Sequence, residues 1–203
     1  RFTFIEQDAP RGLAHAVMIA EDFMQEDDFL MYLGDNIVRS GVKTFVDQFK
    51  SRKPNAMVLL NAVENPSQYG VVELDGDRVK RLVEKPKDPP SNLALVGVYL
   101  FDKQIFTAVK SIQPSWRNEL EITDAIQWLV DQNLRVDPHV ITDWWKDTGK
   151  PEDMLEANRI ILEAITNRID GDFDEQTTIE GRVVIESGAS LENTTIRGPV
   201  VIG

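Results

Sequence analysis

From residue 2 to about residue 165, short apolar runs of β-branched and aromatic residues alternate with amphipathic stretches of helical period. That alternation predicts an α/β domain with flanking helices and a mixed, mostly parallel sheet. Residues 2–5 predict a strand that enters a loop at Asp8. Leu13, Ala16, Val17, Ala20, Phe23 and Met24 then fall on one face of a helix. The apolar run 29–33 predicts a buried strand stopping at Gly34 and Asp35. Further strands are expected over 57–63, 93–101 and 136–141, and a helix over 122–134. Runs 71–74 and 79–83 flank Asp75-Gly76-Asp77, a hairpin signal. The stretch 144–159 is the most informative: an apolar run ends in Asp147, and a helix opens behind it. Pro151 suits the first turn of that helix, and Glu152 and Asp153 face the positive end of its dipole. Met154, Leu155, Asn158, Ile161, Leu162 and Ile165 recur at helical spacing, which predicts an anchored scaffold with Asp147 at its mouth.

After Asn167 the period changes. Ile179, Ile185 and Leu191 are spaced by six and, after a slip of one, so are Ile196 and Ile202. A six-residue aliphatic period with Gly and small polar residues between predicts the start of a left-handed hexapeptide β-helix, whose coils bury their faces only by stacking. A pair of ordinary hairpins is the alternative. The expected division is therefore an α/β domain over 1–168, with an incomplete repeat domain over 169–203.

The chain has 203 residues, 42% of them hydrophobic, enough for one sizeable core and a small appendage. Lys and Arg total 22 against 34 Asp and Glu, a formal charge of -12, which argues against a nucleic-acid or anionic-membrane surface. There are no cysteines and only two histidines, His15 and His139, so thiolate and most His-based metal sites are excluded and any metal is expected on oxygen. No apolar run reaches the roughly 18 to 20 residues that span a bilayer, and the N-terminus lacks the order of a signal peptide. A cytoplasmic protein is expected.

Asp35 and Asp147, if both lie at strand ends of one sheet, converge on the crevice where such sheets bind ligands, and two carboxylates with phosphate oxygens suit Mg²⁺. Read alone, Asp35 fits an Asx-turn and Asp147 a helix cap equally well. Glu84 and Lys85 place an acceptor beside a cation at a strand end, suited to a sugar hydroxyl and a phosphate, or to plain solvated charge. Gly12 leaves room for a base or a phosphate against the backbone, or simply turns the chain into a helix. His15, on that helix, reads as a surface or satisfied residue.

The segments EQDAPRGLAHAV, YLGDN, YGVVELDG, VEKPKDPPSNLALVGVYLFD, RNELEITDAI and WWKDTG stand in the order and spacing of the nucleoside-diphosphate-sugar pyrophosphorylases. The chain resembles that family over nearly its whole length, and the hexapeptide tail resembles that of its long-form glucose-1-phosphate thymidylyltransferases. The resemblance implies transfer of a nucleotidyl group from dTTP or UTP to glucose-1-phosphate, with Mg²⁺, in a homo-oligomer. Gln7 and Gly12 match base-contacting positions, and Asp35 and Asp147 match metal ligands. Gly70, Glu84 and Leu95 match sugar contacts, Lys85 and Arg117 the cations on the sugar phosphate, and Tyr99 and Trp145 the walls of the sugar pocket. The family's opening GGxGTRLxPxT loop and following Lys do not occur before Gln7. The 203 residues are therefore expected to be a piece of a longer enzyme and to be inactive alone. Two rival readings remain: a non-catalytic, sugar-nucleotide-binding relative, and a bifunctional uridylyltransferase with acetyltransferase activity.

Overall fold

The computed structural model describes residues 1–203, which form two compact units, Arg1–Asp147 and Thr148–Gly203. The division falls before the helix at Pro151, whereas the change of sequence period falls at residue 168.

The first unit is built around two long strands, β3 (Ala56–Ala62) and β6 (Leu93–Phe101). Both read as nearly continuous apolar runs, interrupted in β3 by Asn61, because both of their faces are covered over most of their length. Ala56, Val58, Leu60, Tyr99 and Phe101 join one core, and Met57, Leu59, Val96, Val98 and Leu100 join the other. Helices α1 (Leu13–Ile19), α4 (Gln104–Ser111) and α5 (Ile122–Asp131) supply the first core. Helix α3 (Lys43–Arg52) supplies the second with Phe45 and Phe49, one turn apart.

The sheet is mixed, but the expectation that it is mostly parallel is corrected. Strand β6 pairs antiparallel with β1 (Phe29–Tyr32), β3 and β4 (Gly70–Asp75), and β4 pairs antiparallel with β5 (Arg78–Glu84). Only β3 and β7 (Val136–Val140) run parallel. Parallel neighbours need a long crossover. Strands β4 and β5 are instead joined by a tight turn with Gly76 at φ +62, which the Asp-Gly-Asp signal anticipates.

Three further expectations change. Residues 2–5 form no strand, and Phe2 and Phe4 lie almost wholly in solvent; their alternation suits a strand, but no sheet edge pairs with them. The expected buried strand at 29–33 is only half-buried, set against the end of β6. The helix over 13–24 breaks at Ala20 into α1 and α2 (Glu21–Met24).

In the second unit, α6 (Pro151–Glu163) starts as expected, with Pro151 in its first turn and Glu152 and Asp153 at its positive end. Its apolar stripe is not an anchor: Ala157 alone is buried, while Met154 and Leu155 are 62% and 72% exposed. Seven short strands follow. β10 (Asp172–Phe173) lies parallel to β13 (Ser190–Leu191), and β11 (Thr178–Glu180) to β14 (Thr195–Arg197). β12 (Val183–Ile185) lies parallel to both β9 (Arg168–Ile169) and β15 (Val200–Ile202). Hairpins would pair antiparallel, so that alternative falls. Ile179, Ile185, Leu191, Ile196 and Ile202, the residues of the six-residue period, all enter one core.

Candidate active site

The site lies where several strand ends of the first unit meet. Gly70 opens β4 opposite Glu84, which closes β5. The next residue, Lys85, is held at φ +41 with its backbone N–H donating to the Tyr69 carbonyl at 3.1 Å. Along β6, Leu95, Gly97 and Tyr99 alternate onto the same side. The two-stranded ribbon of β2 (Asn36–Val38) and β8 (Trp145–Asp147) sets Asn36 directly opposite Asp147. The segment from Arg117 to Thr123 closes the last side. Together they enclose a cleft of about 320 Å³. Asp35, Asp147, Lys85, Arg117, Gly70, Glu84, Leu95, Tyr99 and Trp145 all line it, although they come from distant parts of the sequence.

Glycine at two of these positions is a packing requirement. A Cβ on Gly70 would meet Thr123 Cγ2 at 2.7 Å, and one on Gly97 would meet Asn36 Nδ2 at 2.6 Å.

The cleft is rich in charge. Arg117 is ringed by Glu119 at 3.1 Å, Glu121 at 3.4 Å and Glu84 at 3.6 Å. Ser115 Oγ donates to Glu121 at 2.8 Å, and Thr123 Oγ1 donates to Glu84 at 3.2 Å. Five carboxylates, Asp35, Glu84, Glu119, Glu121 and Asp147, thus face two cations, Lys85 and Arg117. An anion enters such a cleft favourably only together with additional cations. Burial pushes the Glu84 carboxyl above the usual range, and the neighbouring Glu121 adds to this; Lys85, Thr123 and Arg117 pull the other way without cancelling it. Burial, with the charges of Glu84 and Asp35, likewise pushes the Tyr99 hydroxyl up, so it is neutral at physiological pH.

Glu84 should therefore weaken the fold when ionised. Its cost is absent below the ordinary glutamate value of about 4.3, where the group is protonated both folded and unfolded, and is fully present above the raised folded value. Glu84→Gln is expected to raise Tm at pH 7, with the gain vanishing as the pH falls towards 4. A lower Tm for the variant at pH 7 would show instead that the attraction to Arg117 and Lys85 outweighs burial.

Asn36 carries no role in the sequence reading, yet it organises the site. Its buried carboxamide oxygen accepts from Gly97 N at 3.0 Å and from Trp145 Nε1 at 2.7 Å, while its nitrogen donates to Asp35 Oδ1 at 2.8 Å. One side chain thereby fixes a wall of the pocket and one candidate metal ligand. Its place inside the YLGDN segment was the only available signal. Glu119, Glu121 and Thr123 were missed in the same way within RNELEITDAI.

Gln7 and Gly12 do not line the cleft, although the adjoining Leu13 does. Gln7 Nε2 instead bonds His15 Nδ1 at 2.9 Å and the Gly12 carbonyl at 3.3 Å, which closes the loop onto α1 and makes His15 a satisfied, buried residue. Asp147 is not the helix cap, because Lys150 holds that position. A larger hollow of about 700 Å³ lies beside the edge strand β5, lined among others by Lys80, Arg81, Trp116 and Asp124; of the candidate site residues it takes in Glu84 alone.

Residues 1–164 match the nucleotidyl transferase family. Glucose-1-phosphate thymidylyltransferase of Streptomyces antibioticus is 52% identical over 203 residues, covering 99% of this chain and 57% of that protein. Its namesake from Streptomyces griseus is 50% identical over 204 residues, covering 100% and 58%. A low-salt glycan biosynthesis nucleotidyltransferase of Haloferax volcanii is 48% identical over 188 residues, covering 92% and 53%. The chain thus spans a little over half the length of these relatives. Among solved structures, UDP-glucose pyrophosphorylase complexed with UDP-glucose superposes with a TM-score of 0.72 at 27% identity, covering 80% of this chain and 66% of that one.

Proposed function

Because the chain belongs to the nucleotidyl transferase family, we propose that its cleft is the sugar-phosphate half of a glucose-1-phosphate thymidylyltransferase site. The observation that carries this is the convergence of Glu84, Lys85, Arg117, Tyr99, Trp145 and the two aspartates on a single cleft. The sugar-1-phosphate oxygen attacks the α-phosphorus of dTTP or UTP in line. A new P–O bond forms as the α–β bridge breaks, giving dTDP-glucose from dTTP or UDP-glucose from UTP, and pyrophosphate.

Lys85 and Arg117 hold the sugar phosphate; Glu84 accepts from sugar hydroxyls over walls made by Leu95, Tyr99 and Trp145. Neither a nucleophile nor a general base on the protein is needed, so positioning and charge neutralisation supply the rate. Asp35 and Asp147 are hard carboxylate ligands with no soft donor in the cleft, and Mg²⁺ takes such a pair when phosphates complete its shell. Bound there, Mg²⁺ would neutralise phosphate charge. Gln7 would serve the base from the flank.

The parallel coils after residue 168 begin a left-handed hexapeptide β-helix. We set the functional boundary near residue 168, a reading supported by the family match to residues 1–164. No helix is long and apolar enough to cross a membrane, and we place the protein in the cytoplasm as a homo-oligomer.

The test is pyrophosphate release by the complete protein from glucose-1-phosphate with each nucleotide in turn. dTTP and UTP should be used within roughly two orders of magnitude of each other, since a base methyl is worth only about 1 to 3 kcal/mol, with ATP and GTP poor substrates. Release dependent on a purine nucleotide, or none with either pyrimidine, would overturn the reading.

A further inference from the structure

We infer that Gly12 is a positioning residue for the sugar phosphate, acting through Leu120 on Arg117. The inference rests on the reading of Arg117 as a phosphate-holding cation. Leu120 is fastened to the segment around Gly12 by two backbone bonds: its N–H donates to the Arg11 carbonyl at 2.8 Å, and its carbonyl accepts from Ala14 N at 3.0 Å. Gly12 sits between them at φ 99 and ψ 172, a region essentially confined to glycine. A Cβ there would lie 2.5 Å from the Leu120 oxygen, 2.8 Å from its nitrogen and 3.0 Å from its carbonyl carbon. All three are backbone atoms and cannot swing aside as a side chain would. Any substitution must therefore push the Leu120 peptide away and strain both fastenings.

The displacement would pass directly to Arg117. Residues 115–119 form a tight turn, with Ser115 N bonded to the Glu119 carbonyl and Asn118 N to the Ser115 carbonyl, both at 2.8 Å, and Asn118 at φ +61. These two bonds tie the ends of the turn together. Leu120 lies between Glu119 and Glu121, two of the carboxylates that hold the Arg117 guanidinium. A shift of several tenths of an ångström at Leu120 thus re-aims the cation, and misplacement on the order of 1 Å can cost a hundredfold in rate. The glycine's hydrogen-only face is filled by this chain, so its need for glycine arises from Leu120 and not from a base.

The experiment is steady-state kinetics on the complete protein with the nucleotide saturating. Gly12→Ala should raise KM for glucose-1-phosphate about tenfold, and in an Arg117→Ala background it should add less than about twofold. A normal KM for glucose-1-phosphate with a raised KM for nucleotide would overturn the inference, as would additive effects in the double variant. If Arg117→Ala itself leaves the glucose-1-phosphate KM unchanged, the functional reading has failed, and the inference with it. A second measurement needs no variant: glucose-1-phosphate should slow hydrogen exchange at the Leu120 and Ala14 amides of the wild-type protein. Unchanged exchange at both amides under saturation would also overturn it.

Discussion

Asp147→Asn in the complete protein is expected to lower Mg²⁺-dependent turnover on the order of a hundredfold or more, while leaving the fold intact. An amide keeps the size and shape of the carboxylate and removes its charge. Asp147 ends β8, sits opposite Asn36 across the ribbon, and lines the cleft with Asp35. Since Lys150 takes the cap position of α6, loss of a helix cap cannot explain the effect. Asp35→Asn should behave alike, because its carboxylate is oriented by Asn36 from the same ribbon. Turnover is measured across a Mg²⁺ titration alongside Tm. Equal turnover of wild type and Asp147→Asn at limiting Mg²⁺ would remove Asp147 from the proposed metal site, and the same result for Asp35→Asn would remove Asp35.

Lys85→Ala should fall chiefly on glucose-1-phosphate. A hydrogen bond to a charged group is worth about 1.5 to 3 kcal/mol, so kcat/KM for this substrate should drop roughly ten- to a hundredfold, with KM for the nucleotide almost unchanged. Lys85 occupies the left-handed region at φ +41. Alanine bears the same backbone strain as lysine there, so the substitution removes the side chain without changing the backbone cost. Kinetics with each substrate varied in turn reads the effect. Equal losses on both substrates would mean that Lys85 does not distinguish the sugar phosphate from the nucleotide.

Much of the fold was legible in the sequence because the strongest signals coincide with complete burial. The run at Leu93–Phe101 was placed without error since every residue from Ala94 onward is buried, and the Asp-Gly-Asp turn was placed because Gly76 has the backbone freedom that turn needs. Strand direction was not legible. Periodicity says which residues face a core, but not whether the neighbouring strand runs alongside or against them. Residues 2–5 misled for a related reason, since propensity proposes a strand and only a paired edge makes one. The apolar stripe of α6 misled in the opposite sense: its spacing is sound, but little covers it.

The cleft gathers five charged residues that were singled out from the sequence, Asp35, Asp147, Glu84 and Lys85 for their charge at expected strand ends and Arg117 through the family resemblance. Asn36 and Glu121 were not singled out, because their work is to hold other side chains, and only three-dimensional neighbours reveal that. Gly12 was noticed for the right property and given an incomplete reason. The space its missing Cβ leaves is taken by Leu120, a residue more than a hundred positions away.

The most direct measurement is a crystal structure of the complete protein with dTDP-glucose and Mg²⁺. The account predicts the glucose in the cleft between Tyr99 and Trp145 with its hydroxyls on Glu84, its phosphate within hydrogen-bonding distance of Lys85 and Arg117, and the metal on Asp35 and Asp147. A sugar bound elsewhere, or a phosphate that touches neither Lys85 nor Arg117, would contradict it.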